Sequence, residues 1–179
     1  MPLVEVIRGR KTSPATLARA LDLVQAMKKT PIVVNDGPGF FTSRFIGAYI
    51  NESLAMVTEG VNPALIENAA KMAGIPVGPL TVSDEIGLDT AYHASQQRKK
   101  DEGDAFKATP TFRLVEKLVG ELGRHGRKNG KGFFEYAEDG SKKLWSGLAE
   151  LFPPLAEQPT VDEVKARMLY AQLVDAAKA

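Results

Sequence analysis

No cysteine occurs in the 179 residues, and there are only two histidines. Disulfides, thiolate zinc sites and thiol nucleophiles are thereby excluded, a multi-histidine metal cluster is nearly so, and no metal is expected. Charge of one sign is missing too: 23 Lys and Arg stand against 22 Asp and Glu. That balance excludes a general nucleic-acid binder working through many phosphates, so any phosphate site must be local. No apolar run approaches the roughly 18 residues of a membrane span. Met1-Pro2 leads into a strand-like stretch rather than the basic start and apolar core of a signal peptide. The chain reads as soluble and cytoplasmic. With 44% hydrophobic and 25% charged residues it has ordinary globular composition, enough for one domain or one domain plus a piece.

Residues 3–7 are short, β-branched and bounded by Arg8-Gly9, which predicts a strand. Ser13 stands where an N-cap belongs and Pro14 at the first helical position, with Leu17, Leu21 and Val24 at helical spacing before Lys28-Lys29. Residues 31–34 form a second strand, and residues 35–39 a turn rich in Gly and Pro. Beyond Phe40 helices dominate. Expected segments are 41–59, a helix capped by Asn62-Pro63 and ending at Gly74, one from Gly78-Pro79 to Ile86, a more polar one over 89–100, and one from Thr109-Pro110 to Leu122. Residues 123–132 carry too much glycine for a helix and are expected as an exposed loop, followed by an extended piece at 133–136. After a short helix near Leu148, Pro153-Pro154 and Pro159 mark a linker, and Thr160 with Glu163 forms a capping box for a last helix. Aligned with the helix over 41–59, that last helix matches Arg44 with Arg167, Phe45 with Met168, Ile46 with Leu169 and Glu52 with Asp175, as the start of a second helical unit would. Because a parallel strand buried on both faces needs neighbours, the chain is expected to be a piece of a larger polypeptide.

Three places hold candidate chemistry. Glu5 lies within an apolar strand on the face of Leu3 and Ile7; it is either a solvent-facing glutamate on an edge strand or a carboxylate that orients a catalytic group. The turn over 36–44, with Thr42 and Ser43, is either a strand-to-helix corner or a helix N-terminus suited to anionic or carbonyl ligands. The loop over 126–132 presents Arg127, Lys128 and Lys131 among glycines, either as a solvated turn or as a phosphate contact. It is not a Walker loop, lacking the glycine spacing and the Ser or Thr after Lys. His93 and His125 are single histidines, read as surface or core residues.

Four stretches together carry a resemblance: residues 2–7, residues 36–41 with Arg44, Gly78-Pro79 with residues 84–90, and residues 126–134. In order and spacing they resemble the C-terminal part of L-3-hydroxyacyl-CoA dehydrogenases. The linker and the incipient second helical unit look like the multifunctional form, the α subunit of a fatty-acid β-oxidation complex, which also carries enoyl-CoA hydratase activity.

The resemblance implies a mainly α chain: a helical domain of the 6-phosphogluconate dehydrogenase C-terminal type, preceded by the last strand-helix-strand of a Rossmann domain. The implied division is 1–36 for the NAD-binding remnant, 37–152 for the helical domain, and 153–179 for the linker and first helix of a second, truncated repeat. The implied reaction is NAD-dependent oxidation of a 3-hydroxyacyl-CoA to the 3-ketoacyl-CoA, with a histidine taking the hydroxyl proton. Glu5 matches the glutamate that orients that histidine, whose place falls upstream of Met1; the dinucleotide glycine fingerprint is likewise absent. Ser43 matches a substrate-contacting asparagine, with a shorter reach, and Lys128 a basic residue that approaches NAD. On its own, the chain is expected to be inactive. Implied partners are the acyl-CoA thioester, a second copy through the helical faces and a thiolase subunit. The rival readings are a piece of a monofunctional 3-hydroxybutyryl-CoA dehydrogenase and a helical dimerisation or assembly module without catalysis.

Overall fold

A computed structural model describes residues 2–178; Met1 and Ala179, the outer ends of the expected first and last segments, lie outside them. By packing, the chain divides into two compact units. One gathers the residues up to Ala48 with the stretch from Gln172 onward, and the other is Tyr49–Ala171. These limits differ from the expected 36/37 and 152/153 boundaries because the helices Thr42–Thr58 and Val161–Lys178 each give residues to both units.

In the first unit, β1 (Leu3–Arg8) and β2 (Thr30–Asn35) pair in parallel, with Glu5 opposite Ile32. Parallel strands need a crossover, which is α1 (Pro14–Ala26). Its start is the expected one: Ser13 Oγ accepts from Thr16 N–H at 3.1 Å, and Pro14 occupies the first turn, where its missing N–H is no loss. The corner after β2 turns at Gly39 and Phe40, with φ of 78° and 48°, and opens α2 (Thr42–Thr58). The start of α2 meets the end of α8 (Val161–Lys178) through Gln172, whose side-chain amide donates to Phe45 O at 3.4 Å.

The second unit is helical. It holds the rest of α2, α3 (Pro63–Met72), α4 (Pro79–Ile86), α5 (Leu88–Glu102), α6 (Pro110–Glu116), α7 (Gly147–Leu151) and the first part of α8. Its core is built from Tyr49, Met56, Ile66, Leu80, Leu88, Leu114, Leu118, Phe133, Val164 and Met168, all buried. At about 1.5–3 kcal/mol for each large side chain withdrawn from water, this core, rather than helix propensity, holds the short helices in place. Asn62 caps α3 through Ala64 N–H, and the Thr160–Glu163 box closes reciprocally: Thr160 N–H donates to Glu163 Oε2 at 2.8 Å and Glu163 N–H to Thr160 Oγ1 at 3.2 Å.

Two expectations are corrected here. The helix expected to run to Leu122 loosens after Glu116 into a π turn over Lys117–Glu121, where Gly120 lies against the Tyr92 ring. The stretch 123–132 is not wholly exposed. Gly123, residues 127–129 and Lys131 are exposed, while Arg124, Gly126 and Gly132 are buried. It then leads into an antiparallel hairpin, β3 (Phe134–Tyr136) with β4 (Lys142–Leu144); the second strand was not anticipated. The inward turn of the loop and the placing of β3 have one cause, the burial of the Asp84 carboxylate beneath the loop. Oδ1 accepts from Phe133 N–H at 2.8 Å, and Oδ2 accepts from Phe134 N–H at 2.9 Å and Tyr136 Oη at 3.1 Å. From the other side Arg124 donates to Gly132 O at 2.7 Å and lies 4.0 Å from the Trp145 ring. Among the described residues no helix is long and apolar enough to cross a membrane.

Candidate functional site

The parallel register sets Glu5 at the centre of β1, opposite Ile32, and the Gly-Pro-Gly corner brings the start of α2 back over it. Glu5 Oε1 accepts from Phe41 N–H at 2.8 Å and Thr42 N–H at 3.0 Å, and Oε2 from the Thr42 hydroxyl at 2.5 Å. A helix N-terminus carries unpaired N–H groups and a partial positive charge, so an anion there is favoured twice. The Thr42 hydroxyl and then the Thr42 N–H, with a smaller pull from Phe41 N–H, hold the Glu5 carboxyl below the usual glutamate range against a partial desolvation. Glu5 is therefore neither a fully solvated strand residue nor a buried orphan. It is an ionised acceptor, half-buried, whose partners among the described residues all come from the start of α2.

Ser43 follows directly. Its side chain is exposed, and its hydroxyl makes no hydrogen bond among the described residues. The structure thus brings Glu5 and Ser43 into one unit, joined through Thr42. Thr42, expected as part of a corner or of a helix N-terminus suited to an anionic ligand, donates its hydroxyl to a carboxylate from another element of the same chain.

Lys128 belongs to the second unit, in a short 3-10 turn over Arg127–Asn129. Its ammonium is ion-paired with Asp89 Oδ2 at the start of α5, and its neighbour Arg127 reaches Glu85 at 3.3 Å. Lys128 keeps the Asp89 carboxyl below the ordinary aspartate range. Among the described residues the second carboxylate oxygen of Asp89 is buried without a hydrogen-bond partner, close under Gly87, where a Cβ would come within 2.9 Å of it.

Sequence reasoning passed over the acids that hold this unit's helices. Glu67 of α3 accepts from Leu80 N–H at 2.6 Å, Thr81 N–H at 3.1 Å and Thr81 Oγ1 at 2.7 Å, which is the arrangement found at Glu5. Gly78 makes way for it, since a Cβ there would lie 2.2 Å from the carboxylate. A glutamate followed twelve residues later by Pro-Leu-Thr at a helix start was the available signal.

The family described as 3-hydroxyacyl-CoA dehydrogenase, C-terminal domain, matches residues 39–136, and the one described as 3-hydroxyacyl-CoA dehydrogenase, NAD binding domain, matches residues 1–37. Among curated relatives, the fatty acid oxidation complex subunit alpha of Shewanella sp. (strain W3-18-1) is 43% identical over 142 residues, covering 79% of this chain and 20% of the relative. That of Shewanella loihica is 43% identical over 144 residues, with 80% and 20% covered. The chain thus spans about a fifth of the length of the curated relatives it matches. Among solved structures, (S)-3-hydroxybutyryl-CoA dehydrogenase PaaH1 from Ralstonia eutropha superposes with a TM-score of 0.65 at 35% identity, covering 77% of this chain and 48% of that one. M. tuberculosis FadB2 gives 0.64 at 28% identity, over 76% and 48%. With one family match extending over more than half of its residues and the other over most of those before it, the chain belongs to the 3-hydroxyacyl-CoA dehydrogenase family.

Proposed function

We propose that the chain is the dehydrogenase region of a multifunctional fatty-acid β-oxidation enzyme, contributing to NAD-dependent oxidation of an L-3-hydroxyacyl-CoA to the 3-ketoacyl-CoA. In this reading residues 1–36 close the NAD-binding domain, residues 37–152 form the helical domain, and residues 153–179 are a linker and the first helix of a second helical unit. The observation that carries it is the Glu5 carboxylate, held ionised at the start of α2 next to the exposed hydroxyl of Ser43. Glu5 orients an imidazole and stabilises it once it has taken the hydroxyl proton, the role a buried acid plays behind a catalytic histidine. Ser43, with one donor and two lone pairs, contacts the substrate. Among the described residues no imidazole stands among Glu5's partners, and in this reading the base is a histidine of the longer polypeptide rather than His93 or His125.

A bound NAD would supply the hydride acceptor. Lys128, the candidate for its pyrophosphate, has its ammonium on Asp89, and that pairing does not fit a resident dinucleotide phosphate, so no step is assigned to it. The reaction takes place in the cytoplasm. A homo-oligomer is favoured by α8, where Tyr170, Leu173 and Val174 are each more than half exposed; relatives named as the alpha subunit of a complex support a further partner subunit, which we take to be a thiolase.

The test is NADH formation from (S)-3-hydroxybutyryl-CoA by the 179-residue chain and by the longest polypeptide its gene encodes. Turnover is expected from the longer polypeptide alone, reduced at least tenfold by Glu5→Gln. Turnover by the 179-residue chain, or none by a well-folded longer polypeptide, would sink the assignment.

A further inference from the structure

Two glutamates in this molecule are held by the same three kinds of donor, two consecutive backbone N–H groups at a helix start and the hydroxyl of the second residue. Glu67 is enclosed, at 6% exposure, and its carboxylate ties α3 to α4. Glu5 is not enclosed, and Leu3 and Ile7 on its face of β1 are 37% and 41% exposed. A carboxylate offers about four lone-pair sites. Three donors leave Glu5 one, on Oε2, the oxygen that the Thr42 hydroxyl holds. The motif that is purely a clasp at Glu67 is thus, at Glu5, a clasp with one acceptor position open.

Of the three donors, two are backbone groups that any side chains at 41 and 42 would supply. The hydroxyl depends on the identity of residue 42, and it is also the largest of the influences that hold Glu5 ionised.

We propose that Thr42 is a positioning residue for the reaction: its hydroxyl fixes Oε2 of Glu5 and leaves the remaining lone pair of that oxygen to the N–H of an imidazole. The proposal rests on the reading of Glu5 given above and adds to it the side chain through which the sequence sets how strongly Glu5 accepts. Thr42 touches neither substrate nor cofactor; it acts through Glu5. Removing the hydroxyl without changing the shape, as in Thr42→Val, leaves Oε2 without its donor, so Glu5 becomes a weaker acid held only through the two backbone N–H groups on Oε1. Thr42→Ser keeps the donor.

The experiment is a carboxyl carbon NMR titration of Glu5 in the 179-residue chain, for the unchanged protein, Thr42→Val and Thr42→Ser. The Glu5 midpoint is expected to move up in Thr42→Val and to return in Thr42→Ser, a shift that a merely structural loss would not produce. A second readout needs no substitution: the Thr42 Cβ resonance of the unchanged protein is expected to titrate with the Glu5 midpoint. An unmoved midpoint in a folded Thr42→Val chain, a failure of serine to restore it, or a Thr42 Cβ that does not follow Glu5 overturns the proposal. The two readings fail separately. A midpoint that responds while the longer polypeptide makes no NADH removes the dehydrogenase assignment and leaves the hold of Thr42 on Glu5 standing. Turnover with an unresponsive midpoint does the reverse.

Discussion

The guanidinium of Arg44, in the first unit, lies 2.9 Å from the carboxylate of Asp175. In the second unit Arg167 meets Glu52 at 2.6 Å. The alignment of the last helix with α2 matches Arg44 with Arg167 and Glu52 with Asp175, so each arginine is paired with the acid that corresponds to the other's partner. Being partly exposed, the Arg44–Asp175 pair contributes little: a double-mutant cycle of Arg44→Ala and Asp175→Ala, read by urea unfolding, is expected to give a coupling of about 0.5 kcal/mol that shrinks as salt is added. A coupling that does not respond to salt would contradict the ion pair.

Acid should weaken the first unit through Glu5. Its carboxyl is held below the ordinary value of 4.5 in the folded chain, so the unfolded chain binds the proton more readily. The stability that this provides is complete above the ordinary glutamate value and is lost as the pH falls through the lower, folded one. Glu5→Gln is therefore expected to flatten the acid limb of stability against pH below about 4.5, measured by thermal melts across the acid range. An unchanged acid limb would place the loss elsewhere.

Gly132 has no room for a side chain. A Cβ there would stand 2.0 Å from Oδ1 of Asp84, the oxygen that accepts from Phe133 N–H. Gly132→Ala must push the carboxylate off its donors or move the loop, and a loss of about 2–3 kcal/mol is expected from overpacking and an unsatisfied buried N–H. Denaturant unfolding monitored at Trp145, which stacks against Arg124, reads the change where it begins. A loss under half of that would show that the loop gives way.

Lys128→Met removes the cation from Asp89. The Asp89 carboxyl is then expected to titrate closer to the ordinary aspartate value, since Lys128 is the main reason it lies below. With the lysine side chain 53% exposed, the loss of stability at neutral pH should not exceed about 1 kcal/mol. Carboxyl NMR of Asp89 decides the first expectation, and urea unfolding the second.

Local chemistry was legible in the sequence where a residue acts on its own neighbourhood. Ser13-Pro14, Asn62-Pro63, Thr109-Pro110 and the Thr160–Glu163 box each announce a helix within one turn, and each is found in place. What could not be read depends on residues far apart. β4 has two lysines in three residues, an unpromising strand; Lys142 is held by the Phe134 ring at 4.3 Å and by the Thr81 hydroxyl, sixty-one positions away. The loop over 123–132 is drawn inward by Asp84, which pattern alone marks only as a polar helix residue. At Glu5 the strand pattern left two readings open because its donors lie thirty-six and thirty-seven positions on. Lys128 looked free because its partner Asp89 is thirty-nine positions back.

These carboxylate clasps also carry a timetable. The Glu67 clasp spans thirteen residues, while that of Asp84 to Phe133 spans forty-nine. Closing the longer loop from a disordered chain costs about 1 kcal/mol more in entropy, so the α3–α4 pair is placed to form early and the Asp84 loop to lock late. In a chain without cysteine, Asp84 then acts as the final latch of the helical unit. Substitutions at Gly132 and Phe133 should chiefly speed unfolding, and those around Glu67 slow refolding.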